Sequence, residues 1–465
     1  MGDEPHTDGP AQKRVVVLGG GLAGLSTALQ LIDRGFAVTL IEKRRFLGGR
    51  AFSFFDPKEQ VEIDNGQHVF LGCCTYYVDY LRTIGATDKT YLQDRLKVVV
   101  IKDGKRGTIG STPWMGRLHL FPSFLSYPHL GVSDKLRAIY GLASMALTRR
   151  KDGPSSRDRE TAYDWLKRHG QSDRAISALW NLILLPSLND DVRDASADMA
   201  IMLFQAGLLK GPREAAIGLS SVGLTSLNGD PAREILTQRG AGIALGKTVR
   251  SIAVDNGRAT GIVLSDGSTV EADAYVSALP FGVLLDSLPE DVSGNAFFSK
   301  AATLGSSPIV GVHLWYDRQI MDEEFVAFLD STVQWVFNKS RIQGTTGKAD
   351  GQYVCISLSG AWQFIDRPKD ELAVEFIAEM ERLFPRAAGA RIVRSLVVKE
   401  PQATFSAAPG AAEGRLPHTT PIRNLFLAGD WTDTGWPSTM EGAVRSGVFA
   451  AETVAAALGK GESGS

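Results

Sequence analysis

Cysteine is scarce in this 465-residue chain, which contains only Cys73, Cys74 and Cys355. Three thiols cannot build a disulfide framework, and two adjacent cysteines do not have the spacing of metal ligands. We therefore expect a reducing compartment and no metal site. Cys73 and Cys74 are interpreted as small buried residues, with a nucleophilic role as the alternative.

A dominant charge and long apolar runs are also missing. The chain has 50 Lys and Arg against 52 Asp and Glu, a net charge of −2, so no overall basic field would attract nucleic acid. The longest apolar runs carry polar breaks and are shorter than the roughly 20 residues of a membrane-spanning helix. The polar, acidic N-terminus has no apolar stretch typical of a signal peptide. These absences predict a cytoplasmic protein.

Glycine, by contrast, is abundant, and its first cluster carries a chemical signal. A β-branched run at 14–18 predicts a buried strand and leads into GGGLAG at 19–24, then a helical pattern at 25–32. A second strand, 37–41, ends at Glu42. In this pattern the glycines permit a tight turn, close approach to a pyrophosphate and helix–strand packing, and the acid accepts a hydrogen bond from a ribose hydroxyl. The sequence predicts a dinucleotide site.

The residues after Glu42 and those near the C-terminus extend this site. Lys43 and a Gly-Gly-Arg segment, 48–50, follow within a few residues. Near the other end, an apolar strand pattern at 424–428 precedes Gly429-Asp430, and Ser438 and Glu441 fit a capping box at the start of a helix. We expect the two ends of the chain to close one site.

GGGLAG, Glu42-Lys43 and Gly-Gly-Arg together resemble the FAD-binding start of the amine oxidase and phytoene desaturase superfamily. The resemblance implies a mixed α/β, two-dinucleotide-binding flavoprotein fold, in which a Rossmann-like FAD domain joins a substrate domain of mixed sheet and helices. It also implies FAD as the cofactor. The FAD contacts predicted from the pattern and the resemblance are Gly19, Gly21, Leu22, Ala23, Gly24, Glu42, Lys43, Gly49, Arg50, Gly66, Val249, Gly429, Asp430 and Met440.

The predicted FAD domain is discontinuous. It comprises 12–74, 230–288 and 415–458, the substrate domain comprises 75–229 and 289–414, and 1–11 and 459–465 are expected to be flexible. Strand and turn signals between 247 and 278 predict a three-strand meander and a further strand. The glycine-rich 240–246 follows a helical pattern and enters a strand, which is the wrong context for a second dinucleotide motif. No NAD(P) domain is predicted.

Two further stretches narrow the resemblance. Residues 63–75, IDNGQHVFLGCCT, and 180–189 resemble the squalene-associated FAD-dependent desaturases, the hydroxysqualene dehydroxylases. The resemblance implies reduction of hydroxysqualene to squalene for bacterial hopanoid synthesis, with an external electron donor. Two alternatives stay open: a desaturase or oxidase of a carotenoid, another isoprenoid or an amine, and a non-catalytic isoprenoid carrier.

The implied chemistry needs a proton donor and a dry, apolar site. Protonation of an allylic hydroxyl releases water and leaves an allyl cation that a hydride can reduce. His68 is the first candidate acid and Asp64 the second, if burial raises its pKa; the alternative for His68 is packing in the core or against the flavin. The apolar stretches 177–188, 199–209 and 325–337 are expected to line a substrate tunnel or to form plain core.

One segment points to lipid. Trp114–Leu130 mixes aromatics, prolines and leucines and is followed by Lys135 and Arg137. We expect Phe121, Phe124 and Leu125 to contact the inner face of the cell membrane, where a squalene-like product would be released. The alternative is a lid packed on the substrate domain.

Overall fold

The computed structural model describes residues 12–57, 61–150, 155–344 and 351–459. Its strands are β1 Arg14–Leu18, β2 Ala37–Glu42, β3 Ser53–Asp56, β4 Val61–Asp64, β5 Phe70–Leu71, β6 Thr90–Leu92, β7 Lys97–Lys102, β8 Lys105–Gly110, β9 Ile217–Ser220, β10 Gly242–Leu245, β11 Val249–Asp255, β12 Arg258–Leu264, β13 Thr269–Val270, β14 Ala274–Ser277, β15 Ser306–Tyr316, β16 Phe325–Phe328, β17 Trp335–Asn338, β18 Gln352–Ser359, β19 Ile392–Phe405 and β20 Leu425–Leu427.

The α-helices follow the same numbering along the chain. They are α1 Leu22–Asp33, α2 Thr75–Thr83, α3 Phe121–Ser126, α4 Val132–Leu147, α5 Ala162–Arg168, α6 Asp173–Ala175, α7 Leu182–Leu188, α8 Ala197–Leu203, α9 Asp230–Gln238, α10 Phe281–Ser287, α11 Glu290–Ser293, α12 Lys339–Ile342, α13 Lys369–Leu383, α14 Ala411–Gly414 and α15 Met440–Gly459. Gly459 therefore ends a helix, and the other predicted flexible residues, 1–11 and 460–465, lie outside the described ranges.

A five-stranded parallel sheet gathers strands from distant parts of the chain in the order β10-β2-β1-β14-β20. Numbered along the chain within this sheet, the order is 3-2-1-4-5, as in a Rossmann fold. Helix α1 connects β1 to β2 and packs extensively on α15. The predicted mixed α/β class, with its Rossmann-like sheet, is confirmed. In such sheets ligands bind beyond the carboxyl ends of the strands, where the strand order reverses.

The predicted meander is also present. Strands β11, β12 and β13 form a separate antiparallel sheet, and β14 then enters the parallel sheet. The glycine-rich 240–246 leads into β10, which pairs with β2. It therefore belongs to the same parallel sheet as β1.

A second, seven-stranded sheet lies in the order β19-β15-β18-β17-β16-β7-β8. Its pairs are antiparallel except β16 with β7. It draws strands from two stretches of the chain, 97–110 and 306–405, on both sides of β9–β14. Its strands β7, β16 and β17 share a hydrophobic core with the helical region that contains α3 to α8.

The proposed division at residue 75 falls beside α2, which packs with the parallel sheet. Tyr77, Tyr80 and Leu81 share a core with α1 and α15, and the Tyr77 amide donates to a Glu441 carboxylate oxygen at 2.8 Å. The two segments of the predicted substrate domain are in contact: in the first, Asn189 Nδ2 donates to the carbonyl oxygen of Ser307, in the second, at 3.1 Å.

Two π-helical turns interrupt the helical region. One covers Ile176–Asn181, directly before α7, and the other covers Phe204–Leu208, directly after α8. Such turns widen a helix by one residue and are frequent at functional sites. Both contribute side chains to the large cavity described below.

The predicted lipid-contacting segment is partly exposed. Phe121 and Leu125 on α3 are 39% and 50% exposed, but Phe124 is buried and faces the interior. The expectation that Phe124 contacts lipid is therefore wrong. The sequence identifies the segment as apolar, but only packing decides which side chains of a six-residue helix face the interior. Within the described ranges, no helix is both long and apolar enough to cross a membrane.

Candidate active site

The turn between β1 and α1 is closed by contacts that only glycine permits. Gly19 has φ +102°, and a Cβ at Gly24 would lie 1.9 Å from the Gly19 carbonyl oxygen. Helix α1 starts after Gly21 without any side-chain cap, and its first turn has no acidic residue. Its N-terminal N–H groups therefore remain available to an anion, as a pyrophosphate requires.

Glu42 holds this turn from the end of β2. Its Oε2 accepts from the Gly20 amide at 2.7 Å and its Oε1 accepts from the Arg44 amide at 2.8 Å. The Arg44 guanidinium in turn donates to the Gly49 carbonyl oxygen at 2.8 Å. Glu42 therefore positions the glycine turn and the Gly-Gly-Arg segment together, in addition to any contact with a ribose.

The Gly-Gly-Arg segment crosses directly over the glycine turn. Gly21 and Gly48 form a parallel bridge, and a Cβ at Gly49 would lie 2.6 Å from the Gly21 Cα. Arg50 forms an ion pair with Asp430, and Ser438 donates to the other Asp430 oxygen. The two ends of the chain thus meet at one place, as the sequence predicts.

The entrance to α15 differs from the prediction. The predicted capping box of Ser438 and Glu441 is wrong. Thr439 Oγ1 accepts from the Gly442 amide at 3.1 Å, and the Ser438 hydroxyl donates to Asp430 instead. Glu441 is buried and bonds Tyr77 instead. A nearby carboxylate competes for a serine hydroxyl, and the sequence pattern alone does not reveal it.

The remaining predicted cofactor contacts surround the same edge of the sheet. Leu22 and Ala23 open α1, Lys43 is exposed just after β2, and Gly429, with φ +137°, donates its amide to Ser446 Oγ at 2.8 Å. Val249 begins β11, two residues after Lys247, whose amide donates to the Glu42 carbonyl oxygen at 3.0 Å. Met440 opens α15. Gly66 lies in the loop between β4 and β5 and faces β15 of the seven-stranded sheet, where a Cβ added to it would lie 4.0 Å from Ile309 Cγ2.

A buried ion pair that sequence reasoning missed lies under the loop 64–68. Lys339 Nζ donates to Asp64 Oδ2 at 2.8 Å and to Gln67 Oε1 at 3.1 Å, and Asp64 Oδ1 accepts from the Leu224 amide at 2.9 Å. Both charged side chains are at most 3% exposed. Each Asp64 oxygen thus accepts a hydrogen bond, and one of them faces the Lys339 ammonium.

His68, the first candidate acid, is half-buried beside this pair. Its Nδ1 lies 3.0 Å from the Gly66 carbonyl oxygen, so Nδ1–H donates there and Nε2 is the nitrogen left to exchange a proton. Burial lowers the pKa of His68, the carbonyl contact and Asp64 oppose that shift, and Lys339 adds to it. The imidazole is thus held mainly neutral at neutral pH.

A cavity of about 860 Å³ extends from this loop to the surface. At its inner end lie Gln67, Thr439 and Met440, and at its outer end the exposed side chains Leu118 and Phe121. All three apolar stretches expected to line a tunnel do so, through Leu179, Leu182, Ile183, Pro186 and Ser187, through Met202–Ala206, Leu208 and Leu209, and through Phe325, Trp335 and Phe337. Its size and apolar wall suit a long, uncharged ligand.

Aromatic side chains form much of the wall near the inner end. Trp335 and Phe337 on β17 stack with ring centroids 6.2 Å apart, and Phe325 on β16 lies 5.7 Å from Phe337. Trp436 also lines the cavity, and its ring is covered by the Arg445 guanidinium, 4.9 Å from the ring centroid. Such faces attract a positive charge that develops in an apolar site.

Cys73 and Cys74 are buried and border the same cavity. Contact with Cys74 lowers the pKa of Cys73, and contact with Cys73 together with burial raises the pKa of Cys74. Their small buried side chains fit the packing interpretation. Among the described residues, no three His, Cys, Asp or Glu side chains lie where they could hold a metal ion.

A second residue that sequence reasoning missed supports the C-terminal loop from within. Arg415 is buried, and its guanidinium donates to the Thr432 carbonyl oxygen at 2.6 Å and to Thr434 Oγ1 at 2.9 Å. Burial lowers its pKa to about 10. Neither Arg415 nor Lys339 stands in a recognisable motif, and only the folded chain brings each to its partners.

Buried His313 makes the stability of this region sensitive to acid. It lies on β15 with Nδ1 2.7 Å from the Tyr353 hydroxyl oxygen, and burial lowers its pKa to about 4 from 6.5. The unfolded chain therefore binds this proton more readily, so the contribution of neutral His313 is complete above pH 6.5 and is lost as pH falls through 4. We expect a loss of about 3 kcal/mol.

Urea unfolding across this pH range checks the prediction. The His313→Gln variant cannot take up the proton, so its unfolding free energy should fall less steeply than that of the parent chain. Equal slopes for the two proteins would contradict the assignment to His313.

The residues at this edge of the sheet fit a bound FAD. The glycine turn leaves no room for a Cβ, the helix end above it is uncapped, and the Gly-Gly-Arg segment and Asp430 close over the same position. A helix N-terminus holds a pyrophosphate, and the adjoining cavity is lined by Met440, a predicted FAD contact at the start of α15.

Comparison with known proteins agrees with this geometry. The family profile described as "Flavin containing amine oxidoreductase" matches residues 22–455. The chain is 28% identical to zeta-carotene desaturase of Synechocystis sp., covering 95% of this chain and 97% of the relative, and 28% identical to hydroxysqualene dehydroxylase of Rhodopseudomonas palustris, covering 96% and 99%. The crystal structure of putrescine oxidase with bound putrescine has the same fold, with a TM-score of 0.72 at 16% identity over 96% of this chain and 99% of that one.

Proposed function

The chain belongs to the family of flavin-containing amine oxidoreductases, and from this premise we propose that it is a FAD-dependent enzyme that converts hydroxysqualene to squalene. The main observation in support of this proposal is the apolar cavity of about 860 Å³, which extends from Met440, a predicted FAD contact, to the surface. An amine is a charged substrate, and this cavity has no acidic side chain among its lining residues except Glu441, which bonds the Tyr77 amide. A long isoprenoid alcohol suits it better.

The proposed reaction exchanges a hydroxyl group for hydrogen. The protein protonates the allylic hydroxyl oxygen, which leaves as water, and a hydride that reduced FAD supplies when bound bonds to the carbon that the oxygen leaves. The substrate passes through an allyl cation, so the C–O bond breaks before the new C–H bond forms. The chain must therefore deliver one proton, exclude bulk water and tolerate a short-lived positive charge.

His68 is the proposed proton donor, acting through Nε2. Its Nδ1 is held by the Gly66 carbonyl oxygen, and its neighbour Gln67 borders the cavity. Asp64 is the second predicted acid, but its two oxygens accept hydrogen bonds from Lys339 and from the Leu224 amide, so neither is directed to a substrate. In this proposal Asp64 and Lys339 position the loop, and His68 carries the proton.

We assign the stabilisation of the allyl cation to the aromatic wall of the cavity. Trp335 and Phe337 border the cavity, and aromatic ring faces stabilise positive charge by about 0.5–2 kcal/mol each. The same rings keep water from the reacting carbon. Both effects favour dehydroxylation over hydrolysis or rearrangement of the cation.

The predicted cofactor contacts, from Gly19 to Met440, belong to the proposal as FAD-binding residues. So does the discontinuous division into a FAD domain and a substrate domain. An external electron donor must reduce the flavin between turnovers, since each dehydroxylation consumes two electrons. We also propose a cytoplasmic enzyme with peripheral contact at the inner face of the cell membrane, because substrate and product dissolve in lipid.

A desaturase of a carotenoid or similar isoprenoid is the second candidate. The zeta-carotene desaturase is as similar in sequence as the hydroxysqualene dehydroxylase, and an apolar cavity suits a polyene as well. Desaturation runs in the opposite electronic direction, since the substrate gives up hydride and the flavin becomes reduced. The direction of flavin oxidation therefore separates the candidates.

An anaerobic single turnover tests the proposal. Photoreduced enzyme is mixed with hydroxysqualene, flavin absorbance is followed, and products are extracted. We expect flavin reoxidation with one equivalent of squalene. Reduced flavin that persists with hydroxysqualene, combined with bleaching of oxidised enzyme by a carotene, would replace this proposal with the desaturase.

A His68→Gln variant tests the assignment of His68 as the proton donor. Removing a general acid typically costs 10²–10⁴-fold in rate, so we expect a loss in that range at unchanged flavin content. The lowered pKa of His68 means that the protonated form accumulates only below pH 6.5, so parent activity should rise as pH falls into that range. An unchanged rate and pH profile in the variant would exclude His68 as the donor.

A further inference from the structure

The exposed apolar side chains are concentrated on one part of the molecule. Among the described residues, eight of the fifteen large exposed apolar side chains lie between 114 and 147. Trp114, Leu118, Phe121 and Leu125 precede α4. The other four lie on α4 itself, and the eight together are called the apolar outer surface. A concentration of this kind marks an interaction site rather than ordinary surface scatter.

Helix α4 is apolar on the side that faces solvent. Val132, Leu136 and Leu147 are 78%, 64% and 82% exposed, and Tyr140 lies between them. Their spacing of four, four and seven residues keeps them on one side of the helix. A helix at the surface of a globular protein normally exposes polar side chains, so this exposed apolar stripe indicates an apolar environment.

The same helix also forms a wall of the substrate cavity. Ile139, Leu142 and Ala146 on α4 line the cavity. Leu118 and Phe121 both line the cavity and reach the surface. The mouth of the cavity therefore opens within the apolar outer surface, so a ligand that leaves the cavity meets whatever covers that surface.

The charges around the apolar outer surface select among possible partners. Residues 113–150 contain one acid, Asp134, and five basic residues, of which Arg150 is paired with buried Asp198 and Arg117, Lys135, Arg137 and Arg149 form the rim, although the whole chain has a net charge of −2. A basic rim around an apolar surface is complementary to an anionic lipid bilayer. The same rim repels an identical rim, which disfavours a second copy of this chain as the occupant.

We propose that the apolar outer surface inserts into an anionic lipid bilayer, so that the cavity mouth faces hydrocarbon and a lipid-dissolved substrate enters without crossing water. This extends the expected contact of segment 114–130, because the outer stripe of α4 takes the place of buried Phe124. The passage of an isoprenoid rests on the proposed function. Insertion into the bilayer does not, since it follows from the surface alone.

Vesicle flotation of the FAD-loaded enzyme tests the insertion. The vesicles contain equal parts of phosphatidylcholine and phosphatidylglycerol, without substrate. A triple variant, Val132→Ser, Leu136→Ser and Leu147→Ser, removes the stripe, and the control variant Trp362→Ser, Val374→Ser and Val393→Ser removes exposed apolar side chains elsewhere. We expect the stripe variant to lose at least about tenfold in partition coefficient, while the control floats like the parent chain.

Flavin content and sedimentation velocity complete the test. Equal flavin content in all three proteins shows that the stripe variant is folded. Flotation of the stripe variant like the parent overturns the proposal, as does absence of parent flotation or a parent dimer that the stripe variant dissociates. A parent enzyme that floats but does not dehydroxylate hydroxysqualene would leave the insertion standing and reject the proposed function. Selective loss of turnover on vesicle-borne substrate, with detergent-dispersed substrate still converted, supports both.

Discussion

Replacing Lys339 with methionine should lower the free energy of unfolding by about 3–5 kcal/mol, because it leaves the buried Asp64 carboxylate without its partner. Lys339 is 1% exposed and its ammonium lies 2.8 Å from Asp64 Oδ2. Methionine preserves most of the apolar stem. The loss therefore reports the unpaired charge rather than a cavity, and thermal or denaturant unfolding of the FAD-loaded enzyme measures it.

The double variant Lys339→Met and Asp64→Asn should recover most of this loss. Removing both charges ends the desolvation penalty, and the asparagine oxygen can still accept from the Leu224 amide. The matched control is Lys102→Met, which breaks an ion pair with Asp330 that is a third to a half exposed. Such surface pairs contribute about 0–1 kcal/mol. If Lys339→Met lowers the free energy of unfolding no more than Lys102→Met does, the buried pair contributes no more to stability than a surface pair.

Lys339 also acts on His68 electrostatically. Burial is the main reason that the pKa of His68 is lowered, and the Lys339 charge adds to that effect. Removing the charge should therefore raise the pKa of His68, which an NMR titration of the imidazole detects. A purely structural contribution would leave that titration unchanged as long as the loop keeps its conformation.

The elements around the glycine turn could be predicted because their signals are local. A β-branched run, a glycine turn, an amphipathic helix and a terminal acid lie within thirty residues, and β1, α1 and β2 follow that order closely. The C-terminal strand and helix were found in the same way. Their meeting through Arg50 and Asp430 followed from the expectation that both ends serve one cofactor.

Lys339 could not be found in this way. It is 275 positions from Asp64 along the chain, at the junction of β17 and a four-residue helix, and one lysine among 50 basic residues has no pattern. Phe124 failed for a related reason. Composition identified its segment as apolar, but only packing decides which aromatic side chain on a short helix is buried and which is exposed.

The second large effect is expected at Gly24. Both Gly24 and Gly282 lie in helices, α1 and α10, where replacing glycine with alanine normally stabilises by about 0.5–1 kcal/mol. At Gly282 nothing lies within 4 Å of the added Cβ, so Gly282→Ala should leave stability unchanged or slightly raised. At Gly24 the Cβ would meet the Gly19 carbonyl oxygen at 1.9 Å, so the helix must move away from the turn by about 1 Å.

That displacement decides the sign of the Gly24→Ala effect. Overpacking costs about 1–3 kcal/mol, which exceeds the gain in helix propensity, and the shift carries the N–H groups of α1 away from the pyrophosphate position. Losing a hydrogen bond to a charged group costs about 1.5–3 kcal/mol, so we expect a flavin Kd higher by on the order of 10- to 100-fold, measured by absorbance titration of apoenzyme, with a lower unfolding temperature. If Gly24→Ala binds flavin as tightly as Gly282→Ala, the uncapped end of α1 is not where the pyrophosphate is held.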